Sequence, residues 1–560
     1  MKTKSVLLLI LLAALLAIPA ACGQTATPAA TTTAAPATTA AAATEAATTA
    51  AAATEAAAPA QDSSEHMVFS FAYLGGDVSK DYNEDAVAQH FQQKFNFEWE
   101  IIPTNWSDWV EKTRVWVSAE DMPDLVFTDF QYKDYKSWIE QDLIKRFPAN
   151  WKTTYPNLAY VYGQTNLGPA LEGVIEGEQA VFPNIIFFKK PTTPKIAPHF
   201  SLYFRQDWAK ALGFEIKDKY TLVEFEEIID KFISDGSSLP DVETGKIDTW
   251  NLDTGRVSGV YMSSQWTNVG RFYKDDTGNY VWGPDDDRVF PMLQHMKEGI
   301  DKGYVSRNFA SFQNEEQDDL FYAGQSFAIW SHGWVGPVFG NYSKFNKNTG
   351  LEALDCIYEA VLTDPDGNFQ EVEQLNYWSC MIFSPQMNDA KFDRMLSLFD
   401  YVVTDEAQEW IRMGVEGKDW EKDGDGYKIT REWDDEANNF KDLGSIYPGR
   451  GPYHSFLILG DDWAARDPAI PAEYHKVART MYDTKQKFGV DTGTILDYNF
   501  ETYFFDGPNY LKLSVNFGNE MVQLCMMDGD LRANFDNWLK ERHAVIDPVL
   551  AELNAAYGSN

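Results

Sequence analysis

The sequence has few cysteines and few basic residues for its length. Four of the 560 residues are cysteine (Cys22, Cys356, Cys380 and Cys525), and none of them has C-x-x-C spacing. This excludes a disulfide-stapled scaffold and gives no indication of a zinc or redox motif. Lys and Arg number 47 against 84 Asp and Glu, for a formal net charge of -37. A broad basic surface for nucleic acid or anionic membrane is therefore also excluded.

Apolar and aromatic residues are plentiful. The chain is 44% apolar and 14% aromatic, with 18 Trp, and its length allows two or more domains, each with its own core. That many Trp residues exceeds the usual need of a core. Because the apolar faces of pyranose rings lie flat on indole rings, surplus Trp is typical of sugar-binding sites.

The first 22 residues have the pattern of a secretory signal. Lys2 and Lys4 precede an apolar run from Val6 to Ile18, which is short for a membrane span. Pro19-Ala20-Ala21-Cys22 resembles a lipobox, in which Cys22 receives lipid, although Pro19 replaces the usual aliphatic residue. Lipidation of Cys22 is the prediction, and ordinary signal-peptidase cleavage with release is the alternative.

Residues 23–66 are predicted to form a disordered tether. They are almost wholly Ala, Thr and Pro up to about Glu65, and a ten-residue near-repeat begins at Thr38 and again at Thr48. No residue type there can build a core. A coil of roughly forty residues spans on the order of 35 Å, enough to hold a domain away from a membrane.

The ordered chain begins near Met67 with alternating strands and helices. This β-α-β-α-β order predicts a parallel sheet covered by helices, with ligands outside the carboxyl ends of the strands. Here those ends are Pro103 to Trp106 and Thr128 to Phe130. The predicted elements are strand Val68–Leu74, helix Asp85–Phe95, strand Phe97–Ile102, helix Ser107–Ala119 and strand Leu125–Phe127.

The stretch from Tyr203 to Phe232 predicts two consecutive helices. The first begins at Gln206 and ends at Gly213. The second begins at Thr221, which forms a capping box with Glu224, and carries apolar residues at helical spacing. Trp208 and Phe225 are predicted to be core residues.

Several motifs resemble those of the extracellular solute-binding proteins of bacterial ABC importers, family 1. The closest likeness is to the large sugar- and oligosaccharide-binding lipoproteins, and the matches extend along the whole chain. The motifs are Arg205-x-Asp207-Trp208 ending Leu212-Gly213, Tyr220-Thr221-x-x-Glu224-Phe225, Gly245-Lys246-x-Asp248, Met122-Pro123-Asp124-Leu125-Val126, Lys302-Gly303-Tyr304-Val305, Phe321-x-x-Gly324 and Gly414-x-Glu416-Gly417-x-Asp419-Trp420.

This resemblance implies an α/β fold of the two-lobed, periplasmic-binding-protein type (type II), with discontinuous lobes and a hinge. Crossings are placed near Pro191, Asp364 and Leu457. The expected organisation is 1–22 signal and lipobox, 23–66 tether, 67–191 plus 364–456 first lobe, and 192–363 plus 457–560 second lobe.

The function implied is capture of a sugar or oligosaccharide in the cleft, followed by delivery to a membrane permease. The expected protein is a monomer on the extracellular face of the cell membrane, contacting the membrane through its lipid anchor only and binding no nucleic acid. A receptor in place of a permease stays open as the partner. A secreted carbohydrate-active hydrolase is the alternative function.

Three acidic loops are candidate metal sites. Glu421-x-Asp423-x-Asp425-Gly426 with Glu432 fits a calcium loop, but the lack of flanking helices favours a hairpin turn. Asp364 to Asn368 is likewise predicted to be a turn. Related sugar binders carry a calcium loop where this chain has 239–249, of which Lys246 and Asp248 remain. The prediction is no metal and no cofactor, with calcium at that loop left open.

Enzyme signatures are weak. Gly324-Gln325-Ser326-Phe327-Ala328 half-matches a nucleophile elbow, but Ser326 precedes a strand instead of following one. The eight His include no H-E-x-x-H motif. No catalytic residue is assigned, although a glycosidase carboxylate pair depends on spatial separation that a sequence does not give.

The candidate ligand-binding residues are aromatic and polar side chains at predicted strand ends. Trp residues supply stacking surfaces, while Asp129 and Arg205 supply hydrogen bonds to hydroxyls or a uronate carboxylate. An ion pair with Asp207 is the alternative role of Arg205, and Glu416 is predicted to cap its Gly-rich turn. The full set is Trp106, Asp129, Tyr203, Arg205, Trp330, Trp334, Trp378 and Trp463.

Overall fold

The computed structural model describes residues 65–105, 107–129, 132–165, 179–185, 200–239, 242, 247–312, 316–424, 426–434, 439–456 and 467–559. Predictions outside these ranges stay predictions. They concern Cys22 and the signal segment, the tether up to residue 64, Trp106, Trp463 and the crossings near 191 and 457.

Two five-stranded sheets and several strand pairs make up the β structure. In chain order the strands are β1 (Met67–Leu74), β2 (Phe97–Thr104), β3 (Leu125–Thr128), β4 (Val181–Ile185), β5 (Phe200–Arg205), β6 (Lys219–Thr221), β7 (Asp248–Asn251), β8 (Phe272–Lys274), β9 (Tyr280–Trp282), β10 (Ser326–His332), β11 (Ile357–Thr363), β12 (Glu371–Val372), β13 (Tyr377–Phe383), β14 (Trp420–Asp423), β15 (Gly426–Ile429), β16 (Trp433–Asp434), β17 (Asn439–Phe440) and β18 (Ile495–Leu496).

Helices lie between the strands and dominate the C-terminal part. They are α1 (Ala86–Phe95), α2 (Trp109–Ser118), α3 (Tyr132–Glu140), α4 (Trp151–Thr154), α5 (Pro156–Tyr162), α6 (Gln206–Ala211), α7 (Leu222–Asp235), α8 (Thr254–Ser258), α9 (Val289–Lys302), α10 (Glu316–Tyr322), α11 (Val335–Thr349), α12 (Ala353–Cys356), α13 (Asp389–Val402), α14 (Asp405–Met413), α15 (Leu443–Ile446), α16 (Arg450–Phe456), α17 (Ala472–Lys485), α18 (Phe500–Tyr503), α19 (Phe517–Met526) and α20 (Leu531–Tyr557). Within the described residues, no helix has the length and hydropathy needed to cross a bilayer.

The first sheet confirms the predicted β-α-β-α-β order. Its strand order is β2-β1-β3-β13-β4, and β1 pairs in parallel with both β2 and β3. Strand β13 comes from much later in the chain and runs antiparallel to β3 and β4. The core of this first lobe contains fully buried Phe69, Phe71 and Phe91, so β1 and α1 bury the apolar faces that their patterns indicate.

The second sheet has the order β6-β11-β5-β10-β7. Strand β5 runs antiparallel to both of its neighbours, whereas β7 is parallel to β10 and β6 is parallel to β11. The carboxyl ends of β6, β7, β10 and β11 therefore lie at one edge of the sheet, together with the first residue of β5. This sheet carries a separate core and defines the second lobe.

The two helices predicted after Tyr203 are present as α6 and α7. Gly213 follows the first with φ 95°, a left-handed conformation that glycine adopts at no steric cost. Thr221 and Glu224 form the predicted capping box at the start of α7. Trp208 and Phe225 are buried in the second core, as predicted.

Two parallel strands connect the lobes. Strand β12 lies between the second-lobe strand β11 and the first-lobe strand β13, and it pairs with β18. The Thr494 hydroxyl adds a 2.7 Å hydrogen bond to the Phe369 carbonyl beside this pair. Tyr498 and Tyr503, assigned by prediction to the second lobe, pack instead against the first core. The chain then returns to the second core from Phe505 onward.

The acidic loops that the structure describes are turns. The strands β14 and β15 form the predicted antiparallel hairpin, in which Asp423 pairs with Gly426. The Asp364 turn is closed by the Asn368 amide, which donates to the Asp364 side chain at 2.8 Å. Among the described residues, no group of three or more His, Cys, Asp or Glu side chains is arranged to hold a metal ion.

Cys356, Cys380 and Cys525 are free thiols, and all three are buried. Burial raises the pKa of Cys356 to about 11 and that of Cys525 to about 12. The pKa of Cys380 is also raised well above its usual value, chiefly by burial and then by the nearby Asp129 carboxylate. These thiols are core residues and carry no nucleophilic character.

Candidate functional site

The first lobe presents aromatic rings where its parallel strands end. Strand β3 ends at Thr128, and Cys380 of β13 pairs with Thr128, so Trp378 lies just beyond the carboxyl end of β3. Trp378 is half-buried. Its ring centroid is 5.8 Å from that of Trp109, the first residue of α2, with 26° between the planes. We call Trp109 and Trp378 the first aromatic face.

Asp129 follows β3 directly at the same edge. It is half-buried, and its charge acts on Cys380 of the adjacent strand. Carboxylate oxygens accept hydrogen bonds from hydroxyl groups, and aromatic rings stack on the apolar faces of sugars. The first lobe thus places an acceptor beside a stacking surface, in the place predicted for Asp129 and Trp378.

The second lobe has a corresponding row of rings. Because β5 runs antiparallel to β10, Phe200 at the start of β5 pairs with His332 at the end of β10. Their ring centroids are 4.5 Å apart, and His332 stacks on Trp334 with centroids 5.6 Å apart and planes 9° apart. We call Phe200, His332 and Trp334 the second aromatic row.

Charged groups are packed beside the second row. The Arg256 guanidinium lies 5.4 Å from the Phe200 ring centroid and forms ion pairs with Asp318 at 2.5 Å and Asp253 at 3.4 Å. Asp318 also accepts a hydrogen bond from the Ser331 hydroxyl at 3.1 Å. Two carboxylates already surround this guanidinium, so Arg256 supports the edge and is not available as a separate anion receptor.

Trp330 and Trp334, both predicted ligand residues, differ in their surroundings. Trp334 is half-buried in the second aromatic row, directly before α11. Trp330 is also half-buried but packs against the second core. Trp334 joins the second aromatic row through its stacking on His332.

Tyr203 and Arg205 lie away from their predicted position at a ligand. Tyr203 is fully buried, and its hydroxyl donates to the His332 carbonyl at 2.7 Å. Arg205 is 3% exposed, pairs with Asp207 through Nε at 2.8 Å and lies 3.7 Å above the Trp208 ring. The alternative role of Arg205, a local ion pair with Asp207, is the one observed. Strand β5 is central in its sheet, which explains why these side chains point into packed surroundings.

Three residues of the site were missed by sequence reasoning. Phe200 and His332 carry no local signal, because they meet only through the antiparallel register of β5 and β10. Trp109 lies within the predicted helix Ser107–Ala119 and is 6% exposed, while also stacking on Trp378. The position of Trp109 at the first turn of α2, directly after the end of β2, was the available signal.

Ser326 of the half-matched nucleophile elbow is fully buried at the first position of β10. It precedes its strand, as the sequence indicated, and so lacks the exposed strand-to-helix turn of a hydrolase nucleophile. Asp248 from the loop weighed for calcium accepts a hydrogen bond from the Ser306 hydroxyl at 2.5 Å. Lys246 lies outside the described residues, and the calcium alternative stays a prediction.

Solved structures share this architecture over most of the chain. The alginate-binding protein AlgQ2, in a crystal structure without calcium ion, is 12% identical, with 88% of this chain and 98% of that chain covered and a TM-score of 0.58. The S. pneumoniae ABC-transporter substrate binding protein FusA, in complex with kestose, is 15% identical, with the same coverages and a TM-score of 0.57. This chain has the fold of the ABC-transporter solute-binding proteins.

The solute-binding-protein fold confirms the predicted α/β architecture. Among curated proteins, the polygalacturonan/rhamnogalacturonan-binding protein YtcQ of Bacillus subtilis (strain 168) is 22% identical over 282 residues, which are 50% of this chain and 51% of YtcQ. The match thus spans about half the length of that curated relative. No family model matches the chain.

Proposed function

We propose that this protein is the substrate-binding lipoprotein of an ABC importer. It captures a sugar or oligosaccharide in the cleft between its lobes and delivers it to a membrane permease. The lipid on Cys22 and the tether 23–66 hold the two lobes at the extracellular face of the cell membrane. The protein acts by binding alone and carries no catalytic residue.

One observation supports this proposal above the others. Each lobe of this chain presents a half-buried Trp where its strands end: Trp378, which stacks on the buried Trp109, in one lobe, and Trp334, which stacks on His332, in the other. In open α/β sheets, ligands bind outside the carboxyl ends of the strands, and pockets form preferentially between domains. The known ligands of similar proteins, kestose and polygalacturonan among them, agree with a carbohydrate.

The mechanism that follows is hinge closure. The connection through β12 and β18 is short and lies between the two cores, so rotation there moves one lobe against the other. A sugar that contacts both aromatic surfaces stabilises the closed form through contacts that the open form lacks. The permease then recognises the closed form, and no covalent step is required.

Binding of defined oligosaccharides to the purified chain tests the proposal. Calorimetric titration of neutral and uronic oligosaccharides should give saturable binding with one site per chain. Trp378→Ala and Trp334→Ala should each weaken that binding by about tenfold or more, as expected for stacking residues central to a site. Trp433→Ala is the matched control, because Trp433 is an exposed ring on β16.

Two results would contradict the proposed function. The first is release of shorter sugars by the chain alone, since turnover without a partner is the property of a hydrolase. The second is undiminished binding in both Trp378→Ala and Trp334→Ala, which would place the sugar elsewhere.

A further inference from the structure

The second aromatic row is held by its backbone from within the lobe. The Lys485 ammonium donates a 2.8 Å hydrogen bond to the Phe200 carbonyl. The Tyr203 hydroxyl donates a 2.7 Å hydrogen bond to the His332 carbonyl. Phe200 and His332 are the last cross-strand pair of β5 and β10, so one buried donor holds each strand end.

Both donors are buried and come from different parts of the chain. Lys485, at the end of α17, is 1% exposed, and Tyr203 is fully buried. Lysine is almost never fully buried unless it has partners, because removal of an ammonium group from water costs several kcal/mol. The burial of Lys485 against the Phe200 carbonyl therefore indicates that this strand end needs a hydrogen-bond donor.

A buried carboxylate links the two donors. Glu359 of β11 pairs across the sheet with Tyr203 and is 7% exposed. Its charge acts on both Lys485 and Tyr203, and Glu371 of the connecting strand β12 adds a second negative charge near Lys485. Glu359 and Glu371 thus give the buried Lys485 side chain interaction partners beside β5.

We propose that Lys485 and Tyr203 are positioning residues that hold Phe200 and His332 in line with Trp334 for stacking on a sugar. This inference rests on the proposed function for its ligand, while the anchoring itself is a property of the chain alone. Ring stacking depends on the relative position of the planes, so a displacement of about 1 Å at a strand end removes much of the contact.

Hydrogen exchange of backbone amides tests the anchoring without any ligand. Tyr203→Phe removes one hydroxyl, and Lys485→Met removes the ammonium while keeping most of the side-chain volume. Each should accelerate exchange of the amides of 200–202 and 330–334 by about two- to tenfold, which corresponds to the net free energy of one hydrogen bond. Lys485→Arg, which keeps a cationic donor, should restore much of the protection.

Two matched controls come from the same elements. Tyr342→Phe removes a buried hydroxyl from the core cluster that contains Tyr203, and Lys476→Met removes an exposed lysine from α17. Tyr342 has an edge-to-face ring contact with Tyr203 that a Phe ring keeps, and Lys476 is exposed, so exchange at the second aromatic row should match that of the wild type in both controls. Acceleration by the controls equal to that of the test variants, or wild-type exchange in both test variants, would overturn the anchoring.

The binding arm uses a cello-oligosaccharide as neutral probe and an oligogalacturonate as acidic probe. Tyr203→Phe and Lys485→Met should raise the dissociation constant of whichever probe the wild type binds, with wild-type melting temperature retained in Tyr203→Phe. Unchanged dissociation constants would overturn the positioning role even if exchange accelerates. If the wild type binds neither probe nor any other sugar, the proposed function fails, and the exchange experiment still decides the anchoring.

Discussion

Glu359 is the residue whose ionisation has the clearest consequence. Burial raises the pKa of this carboxyl to about 8, against the opposing influence of the Lys485 cation. The groups around it are Lys485, Ser201 and the hydroxyls of Tyr203, Tyr322 and Tyr342.

This shift predicts a pH-dependent stability. With a folded pKa of about 8 against an ordinary value of 4.5, the folded state binds more protons than the unfolded state between those values. The free energy of unfolding contributed by Glu359 therefore falls as pH rises across that window. Glu359→Gln should match the wild type below the window and be more stable than the wild type at pH values above 8, as measured by urea unfolding at a series of pH values.

Glu473→Gln, a change at an exposed carboxylate of α17, is the control and should leave the slope of stability against pH unchanged. If Glu359→Gln had the same slope as the wild type, the buried carboxyl would not be the source of the pH dependence.

The positions of a few single residues differ from those predicted from the sequence. Arg205 and Tyr203 were predicted at a ligand because they end a strand, but the sheet order that makes β5 central is a long-range property. In the Gly-rich turn after α14, the capping carboxylate is Asp419, whose Oδ2 accepts from the Val415 amide at 2.8 Å, whereas Glu416 was predicted for this role. Both acids fit the local pattern, and only the turn geometry distinguishes them.

At the scale of elements, the start of α7 was the most predictable feature. The Glu224 amide donates to the Thr221 hydroxyl at 3.3 Å, and the Glu224 carboxylate accepts from the Thr221 amide at 2.9 Å. Thr221→Ala should lower the free energy of unfolding by about 1 kcal/mol, because it leaves an orphan amide at the helix start. Thr221→Ser keeps the hydroxyl and should stay near wild-type stability in chemical denaturation. Equal losses in both variants would mean that the methyl group, not the cap, matters.

Local patterns predicted elements well because capping and periodicity act within a few residues. The predicted strand Val68–Leu74 and helix Asp85–Phe95 are observed as Met67–Leu74 and Ala86–Phe95, each with one end shifted by a single residue. Pairing between distant strands was not predictable in the same way. The site row formed by Phe200 and His332 depends on a register between residues more than a hundred positions apart.

For the whole molecule, the formal net charge of -37 makes a prediction about ligands. An oligogalacturonate is repelled by a protein of the same sign, and this repulsion is screened as the Debye length falls from about 30 Å at 0.01 M salt to about 10 Å at 0.1 M. Affinity for the oligogalacturonate should therefore increase with salt over that range in calorimetric titrations. A neutral cello-oligosaccharide is the control, with affinity independent of salt.

Weaker binding of the oligogalacturonate at higher salt would contradict this prediction. It would reveal a local cation in the cleft that outweighs the overall charge.

The two-lobed organisation was predictable from motif resemblance, but the path of the chain between the lobes was not. Tyr498 and Tyr503 pack on the first core. They lie between α17, whose Tyr474 shares a core cluster with Tyr203 of β5, and Phe505 of the second core. An aromatic side chain can pack in either core, so the residue types at Tyr498 and Tyr503 do not indicate which lobe they join. The Tyr503 hydroxyl is hydrogen-bonded to that of Tyr377 at 2.6 Å, a contact within the first lobe between residues more than a hundred positions apart.

The burial of Cys356, Cys380 and Cys525 makes the folded lobes inert toward thiol reagents. Cysteines introduced at Val78 of the first lobe and Val223 of the second, which are 86% and 57% exposed, would therefore react selectively. A donor and an acceptor fluorophore at these two positions would report the distance between the lobes molecule by molecule. Cys356, Cys380 and Cys525 need not be removed, so opening and closing can be followed once Cys22, the fourth cysteine of the chain, is replaced by Ser.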